Sequence, residues 1–193
     1  MPQKIALITG GSRGLGRSAA EHLALAGVPV IITYRTGKAE ADSVIATIRK
    51  NGGSATSLQL DMTDTASFSE FGAELKSILT RDFGRRTLDF LVNNAGSGIY
   101  KSIADTTEAE FDTLMNVHLK GVFFLTQRLL PMIADGGRIL NVSSGLTRFS
   151  LPGYGGYACM KGAVEVFTRY LAQELGGRNI AVNTLAPGAI ETD

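Results

Sequence analysis

Six short apolar runs are spaced along the chain, at residues 5–9, 29–34, 55–60, 88–92, 138–142 and 180–185. Longer segments with helical character separate them, at 17–26, 39–50, 65–79, 108–134 and 157–175. Apolar strands that lack in-and-out alternation need cover on both faces, and the helices between them supply it. Right-handed crossovers then turn this alternation into a doubly wound parallel α/β sheet flanked by helices on both faces. A chain of 193 residues suits a single domain, 1–193, with a substantial core. The longest loops, at 96–106 and 145–156, follow the carboxyl ends of strands, where open α/β sheets bind ligands.

The first run leads into Thr9-Gly10-Gly11-Ser12-Arg13-Gly14-Leu15-Gly16-Arg17-Ser18. Read from Gly11, this is a Walker-type phosphate loop with Arg17 where a compact Lys charge is required. Such a loop also wants an Asp at the exit of a later strand, whereas Asp89 stands near the start of its run. Read from Gly10, it is a variant dinucleotide turn. Gly10 lies where the strand turns, Gly14 where backbone meets a pyrophosphate, and Gly16 where helix packs on strand. The helix N-terminus behind it then faces the phosphates. On these residues alone, a glycine-rich turn that binds nothing remains open.

An NAD-specific site places an acid about 20 residues further on, for the ribose hydroxyls. Here the second run ends Ile32-Thr33-Tyr34-Arg35-Thr36, and the acids Glu40 and Asp42 fall on the next helix. Arg35 is placed to pair with a 2′-phosphate, and Arg13 in the turn to close on it from the other side. The expected cofactor is therefore NADP(H) rather than NAD(H). Two solvated surface arginines are the plainer alternative.

Tyr157 and Lys161 are four residues apart, on one face of the last helical segment. A free phenol titrates at about 10, so a tyrosine needs help to act as acid or base near neutrality. A shift of about three units takes ~4 kcal/mol, which a neighbouring ammonium in a dry site can supply. Ser144 lies at the exit of the fifth run, placed to orient a substrate oxygen toward the tyrosine. The plainer alternatives are a half-buried tyrosine, a solvated lysine and a capping serine. His22 and His118 stand alone in the sequence and are expected to be structural or exposed.

Taken together, Thr9-Gly10-x3-Gly14-x-Gly16, Asp61, Asn93-Asn94-Ala95-Gly96, Asn116, Ser144, Tyr157-x3-Lys161 and Pro187-Gly188 resemble the short-chain dehydrogenase/reductase family, in its order and over almost the whole chain. The resemblance implies a Rossmann-like catalytic domain that moves a hydride between NADPH and a ketone or secondary alcohol. Tyr157 would be the proton donor and acceptor. Lys161 would hold the nicotinamide ribose and lower the tyrosine pKa, Ser144 would polarise the carbonyl, and Asn116 would hold a relay water. Gly10, Ser12, Arg13, Gly14, Leu15, Gly16 and Arg35 would form the phosphate and 2′-phosphate contacts. Asp61 and Met62 would meet the adenine, while Asn93, Ala95 and Gly96 would support the cofactor and the central strand. Pro187, Gly188, Ile190 and Thr192 would lie at the nicotinamide.

The glycine turn and Ala189-Ile190-Glu191-Thr192 look most like the 3-oxoacyl-carrier-protein reductase subgroup, which suggests a 3-oxoacyl thioester as substrate. A non-catalytic NADP-binding regulator or scaffold is the alternative. It has no use for a proton-transfer set. In the family, the helices at 108–134 and 157–175 pack against their copies, so a homotetramer is expected, with a homodimer second. Family members continue after the nicotinamide segment with a substrate-covering helix and a last strand. The sequence through Asp193 contains neither, and both are expected beyond it.

Composition narrows the partners. A net charge of +1, with no basic cluster, argues against nucleic acid and anionic membrane surfaces. No apolar run approaches the ~20 residues of a spanning helix, and the first run begins too early for a signal peptide. One cysteine, Cys159, and no Cys/His cluster leave neither a disulfide nor a metal site to expect. A cytoplasmic enzyme with a small carbonyl or alcohol substrate is the resulting expectation.

Overall fold

The structure, a computed structural model, describes residues 4–190. Among these, β1 (Ala6–Ile8), β2 (Val30–Tyr34), β3 (Ala55–Gln59), β4 (Leu88–Asn93), β5 (Ile133–Val142) and β6 (Ala181–Leu185) form one sheet. All neighbours are parallel, in the order β3-β2-β1-β4-β5-β6. The helices are α1 (Gly14–Leu25), α2 (Lys38–Lys50), α3 (Phe68–Phe83), α4 (Glu108–Met115), α5 (Gly121–Leu129) and α6 (Gly155–Leu175). The expected doubly wound architecture is the observed one.

The absence of alternation in the strands has a direct structural cause. Leu7 and Ile31 face a core layer built with Leu75 and Leu79 of α3, Leu125 and Leu129 of α5, and Leu171 and Leu175 of α6. Their neighbours Ala6, Ile8, Val30 and Ile32 face the opposite layer, with Ala20 and Ala24 of α1 and Val44, Ile45 and Ile48 of α2. Each fully buried Leu or Ile contributes about 1.5–3 kcal/mol relative to exposure. Both faces are therefore stabilised by the same strands, as parallel sheets require.

The strand order reverses direction between β1 and β4. Crossovers from β1 lead one way to β2 and β3, and from β4 the other way to β5 and β6. This opens a crevice at the carboxyl ends of β1 and β4, the usual ligand position in such sheets. The glycine turn leaves β1 there, and residues 94–107 leave β4 beside it.

The long helix expected at 108–134 is divided in the structure. A capping box starts α4. The Glu110 amide donates to Thr107 Oγ1 at 3.3 Å, and the Thr107 amide donates to Glu110 Oε2 at 2.9 Å. A π-helical turn, Asn116–Lys120, then widens the backbone before α5 resumes at Gly121. Such turns insert an extra residue and are frequent at functional sites. Pro131 sits in the 3₁₀ turn Leu130–Met132, and the chain is already extended at Ile133. Proline cannot continue the amide ladder, so residues 133 and 134 join β5 instead of a helix. The extra residues of β5 are accommodated by a register shift opposite Leu88 and Phe90 and by Gly136 at φ 76°.

Candidate active site

The glycine turn is shaped by close packing. Gly10 has φ 64° and Gly14 φ 52°, conformations that L-residues rarely adopt. A Cβ on Gly16 would collide with the Gly10 carbonyl oxygen and lie 2.5 Å from Asn94 Nδ2. A Cβ on Gly10 would sit 2.8 Å from Ala95 Cα. The two loops at the crevice are laced together through Thr9. Its Oγ1 accepts from the Asn94 and Ala95 amides at 3.0 Å each. Asn94 Nδ2 returns hydrogen bonds to the Thr9 and Gly10 carbonyls, at 2.9 and 3.1 Å.

Behind this turn α1 begins at Gly14, with no side-chain cap at Arg13 and no acid in its first turn. The positive end of the helix thus carries no negative side chain of its own, as an anion-binding terminus should. Ser12 and Leu15 are half-buried in the turn, and the exposed Arg13 and Arg35 flank it at the exits of β1 and β2. The turn, the helix end and the two arginines together fit a phosphorylated dinucleotide.

Three of the expected cofactor residues have side chains engaged within the protein. Met62 is 5 % exposed, and its side chain lies in the core with Leu60 and Phe68. Asp61 spends Oδ1 on its own turn, accepting from the Thr63 amide and hydroxyl at 2.8 Å each. Asn93 is buried in a polar ladder. Its Nδ2 donates to Thr126 Oγ1 at 3.0 Å and to Asn141 Oδ1 at 2.8 Å, and Asn141 Nδ2 donates on to Thr168 Oγ1 at 2.9 Å. The ladder ties β4, β5, α5 and α6 together beneath the crevice. Thr192, Glu191 and Asp193 lie outside the described residues.

Ser144, Tyr157 and Lys161 converge at the exit of β5. Ser144 opens a 3₁₀ turn, where its Oγ accepts from the Leu146 amide at 3.2 Å, and it also hydrogen-bonds Tyr157. Lys161 is only 5 % exposed. Its Nζ donates to the Val142 carbonyl at 2.8 Å and lies 5.5 Å from the Tyr157 ring centroid. Burial lowers the ammonium pKa to about 8.

The expected lowering of the tyrosine pKa does not appear in these residues by themselves. Burial pushes the Tyr157 phenol up, and the Ser144 hydrogen bond offsets this only in part. The physical reason is position: Lys161 directs its charge to the Val142 carbonyl and the ring face, not to the phenol oxygen.

Asn116 is the first residue of the π turn, half-buried. Two residues on, His118 takes a structural place against the site. It is 1 % exposed and meets Tyr157 edge to face at 5.1 Å between centroids. Its Nε2 lies 2.6 Å from the Ser97 carbonyl, and Gly96 leaves room for the ring, since a Cβ there would be 2.8 Å from His118 Cε1. Burial, with the Lys161 charge second, lowers the imidazole to about 4, so it is neutral. No local sequence signal marks this contact, because it joins two helices far apart in the chain.

On the far side, the Gly145 amide donates to the Pro187 carbonyl at 2.7 Å, which brings 187–190 beside the serine turn. Gly188 and Ile190 are exposed there.

Comparison with known proteins agrees with this layout. The family described as short chain dehydrogenase matches residues 4–193. The hydroxynaphthalene reductase-like protein Arp2 of Metarhizium brunneum is 36% identical over 191 residues, spanning 98% of this chain and 69% of that protein. Among solved structures, the landomycin C-6 ketoreductase LanV with bound NADP and rabelomycin superposes with a TM-score of 0.93 at 41% identity, covering 96% of this chain and 76% of that one. A short chain dehydrogenase from Burkholderia cenocepacia J2315 in complex with NADP gives 0.90 at 37%, covering 100% and 77%. A sheet wound about this crevice, with matches over nearly the full sequence, places the chain in the short-chain dehydrogenase/reductase family of oxidoreductases.

Proposed function

We propose that the protein is an NADPH-dependent reductase of ketones and, in reverse, an oxidant of secondary alcohols. The observation that carries this reading is the Ser144–Tyr157–Lys161 group, half-buried over a buried lysine and opening beside a glycine turn shaped for a dinucleotide. Gly10 to Gly16 and the α1 N-terminus hold the pyrophosphate. Arg13 and Arg35 hold the 2′-phosphate, and the NADP in the two related structures supports this choice. Asp61 and the Met62 backbone border the adenine, Ala95 and Gly96 line the cofactor, and Pro187, Gly188 and Ile190 border the nicotinamide.

The cofactor supplies a hydride to the carbonyl carbon when bound. The chain's own residues handle the oxygen. Ser144 Oγ–H donates to the carbonyl and polarises it. The Tyr157 phenol, kept protonated by burial, gives its proton to the developing alkoxide. Lys161 holds positive charge beneath the ring and, with Asn116 and a water, returns a proton to the tyrosine. In oxidation the same steps run backward, and Tyr157 must first ionise.

The substrate we favour is a moderately apolar cyclic ketone. Tyr100, Phe149 and Leu151, all at least half exposed, lie on the two loops that flank the tyrosine, and Tyr154 packs edge-on against Tyr100 at 5.2 Å. The ketoreductase and hydroxynaphthalene reductase-like relatives support this choice. A 3-oxoacyl thioester is the second reading, favoured by the glycine turn. We further propose assembly as a homotetramer, or else a dimer, through Phe123, Phe124, Val166 and Tyr170, which are 40–69% exposed on α5 and α6. The place of work we propose is the cytoplasm.

Parallel fluorescence titration with NADPH and NADH, followed by a bicyclic aryl ketone and acetoacetyl-CoA as substrates, tests the reading. NADPH is expected to bind more tightly, and Tyr157→Phe to abolish turnover while sparing that binding. Turnover retained in Tyr157→Phe refutes the mechanism.

A further inference from the structure

We infer that Glu165 is a positioning residue that sets the orientation of Ser144. The inference rests on the carbonyl-polarising role proposed for Ser144. Tyr157, Lys161 and Glu165 follow one another at four-residue intervals on α6 and so share one face. The first two look into the reaction site. The third reaches the loop that leaves β5.

Glu165 Oε1 accepts from Ser143 Oγ at 2.9 Å and from Thr147 Oγ1 at 2.8 Å. Each hydroxyl has a single proton and a competing acceptor. Ser143 Oγ lies 3.3 Å from the Lys161 carbonyl, and Thr147 Oγ1 lies 2.9 Å from the Ser144 carbonyl. The carboxylate is the nearer acceptor in both cases and the only charged one, so it takes both protons. It remains a carboxylate because the two hydroxyls, with Arg148 and Arg169 nearby, outweigh the effect of its partial burial and hold its pKa below the ordinary value.

The opposite side of the loop is tied to the sheet. The Ser143 amide donates to the Leu185 carbonyl and the Gly145 amide to the Pro187 carbonyl, both at 2.7 Å. Residues 143 and 145 are thereby fixed by backbone to the exit of β6, while the side chains of 143 and 147 are fixed to α6 through one oxygen. Ser144 sits between these anchors. Its hydroxyl must meet both Tyr157 and a substrate oxygen, and a small displacement of a polarising donor reduces rate steeply. Glu165 makes no direct claim on substrate. It acts by holding the serine loop at a fixed distance from the helix that carries Tyr157.

A double-mutant cycle tests this with the full chain. The variants are Glu165→Leu, Glu165→Gln, Ser144→Ala and Ser144→Ala/Glu165→Leu. Turnover of the ketone is measured at saturating NADPH, with KM for NADPH and thermal midpoint recorded for each. Glu165→Leu is expected to lower kcat roughly tenfold with KM for NADPH unchanged. Glu165→Gln keeps a carbonyl acceptor and should retain most of the rate. In the Ser144→Ala background, adding Glu165→Leu should lower kcat no further. An equal loss from Glu165→Leu in both backgrounds overturns the inference, because a general structural role would act whether or not the serine is present. An unchanged kcat in Glu165→Leu overturns it too. If Ser144→Ala alone leaves kcat intact, the role proposed for Ser144 falls and the inference falls with it, a result distinct from the other two.

Discussion

Replacing Lys161 by Met should change how stability depends on pH, by an amount that follows from the lysine's burial. The folded-state pKa of about 8 lies below the ordinary 10.5, so the folded chain holds this proton less tightly than the unfolded chain. The sign follows by linkage: between those two values the unfolded state binds more protons, and stability rises with pH. The contribution is complete above about 10.5 and is lost as pH falls through 8. At pH 7 the desolvation cost is about 3 kcal/mol, and at pH 9.5 about 1.4 kcal/mol. Wild type should therefore gain about 2 kcal/mol on Lys161→Met between these pH values.

Methionine also removes the hydrogen bond to the Val142 carbonyl, but that loss is the same at both pH values and cancels in the difference. Tyr157 does not interfere, because its pKa lies above the ordinary phenol value and it stays protonated to pH 9.5. Reversible urea unfolding of both proteins, at equal concentration and at pH 7 and 9.5, measures the difference. In thermal unfolding the same change amounts to about 4–8 °C for a chain of this size. A stability difference that stays constant across this range would mean that Lys161 titrates as an exposed lysine does. The buried ammonium beneath Tyr157 would then be wrong.

Two further outcomes follow from neighbouring contacts. His118, with its pKa lowered to about 4, must be neutral to stay buried, so it contributes stability that is complete above about 6.5 and lost as pH falls through 4. His118→Phe should flatten the acid limb of the urea-unfolding pH profile, and an unchanged limb would show that the imidazole charges freely in place. Gly16→Ala puts a Cβ against the Gly10 carbonyl and Asn94 Nδ2, so NADPH affinity should fall at least tenfold, about 1.4 kcal/mol, in a fluorescence titration. Wild-type affinity would mean that this turn does not cradle the pyrophosphate.

Most strand and helix positions were legible in the sequence because the signals are local. The apolar runs from Ile5 to Ile180 needed no partner to be recognised as buried strands. The error at 108–134 was also local in origin. An unbroken amphipathic period reads as one helix, and it hid both the π turn at Asn116 and the stop imposed by Pro131. Met62 was placed at the adenine by family resemblance. Its side chain went to the core because Leu60 and Phe68 lie beside it there.

By itself, the sequence determined the alternation that makes a doubly wound sheet, the glycine turn and the Tyr157–Lys161 spacing. Each is a periodicity or a short-range steric requirement that residue types carry with them. Tertiary structure decided what lies around those groups. It set His118 against Tyr157 and Glu165 against the serine loop, and it put Asn93 into a ladder with Thr126, Asn141 and Thr168. It also turned the Lys161 charge toward Val142, which leaves the phenol pKa raised by burial. Such contacts join residues distant in the chain, and desolvation depends on everything packed around a group, so neither can be read from spacing.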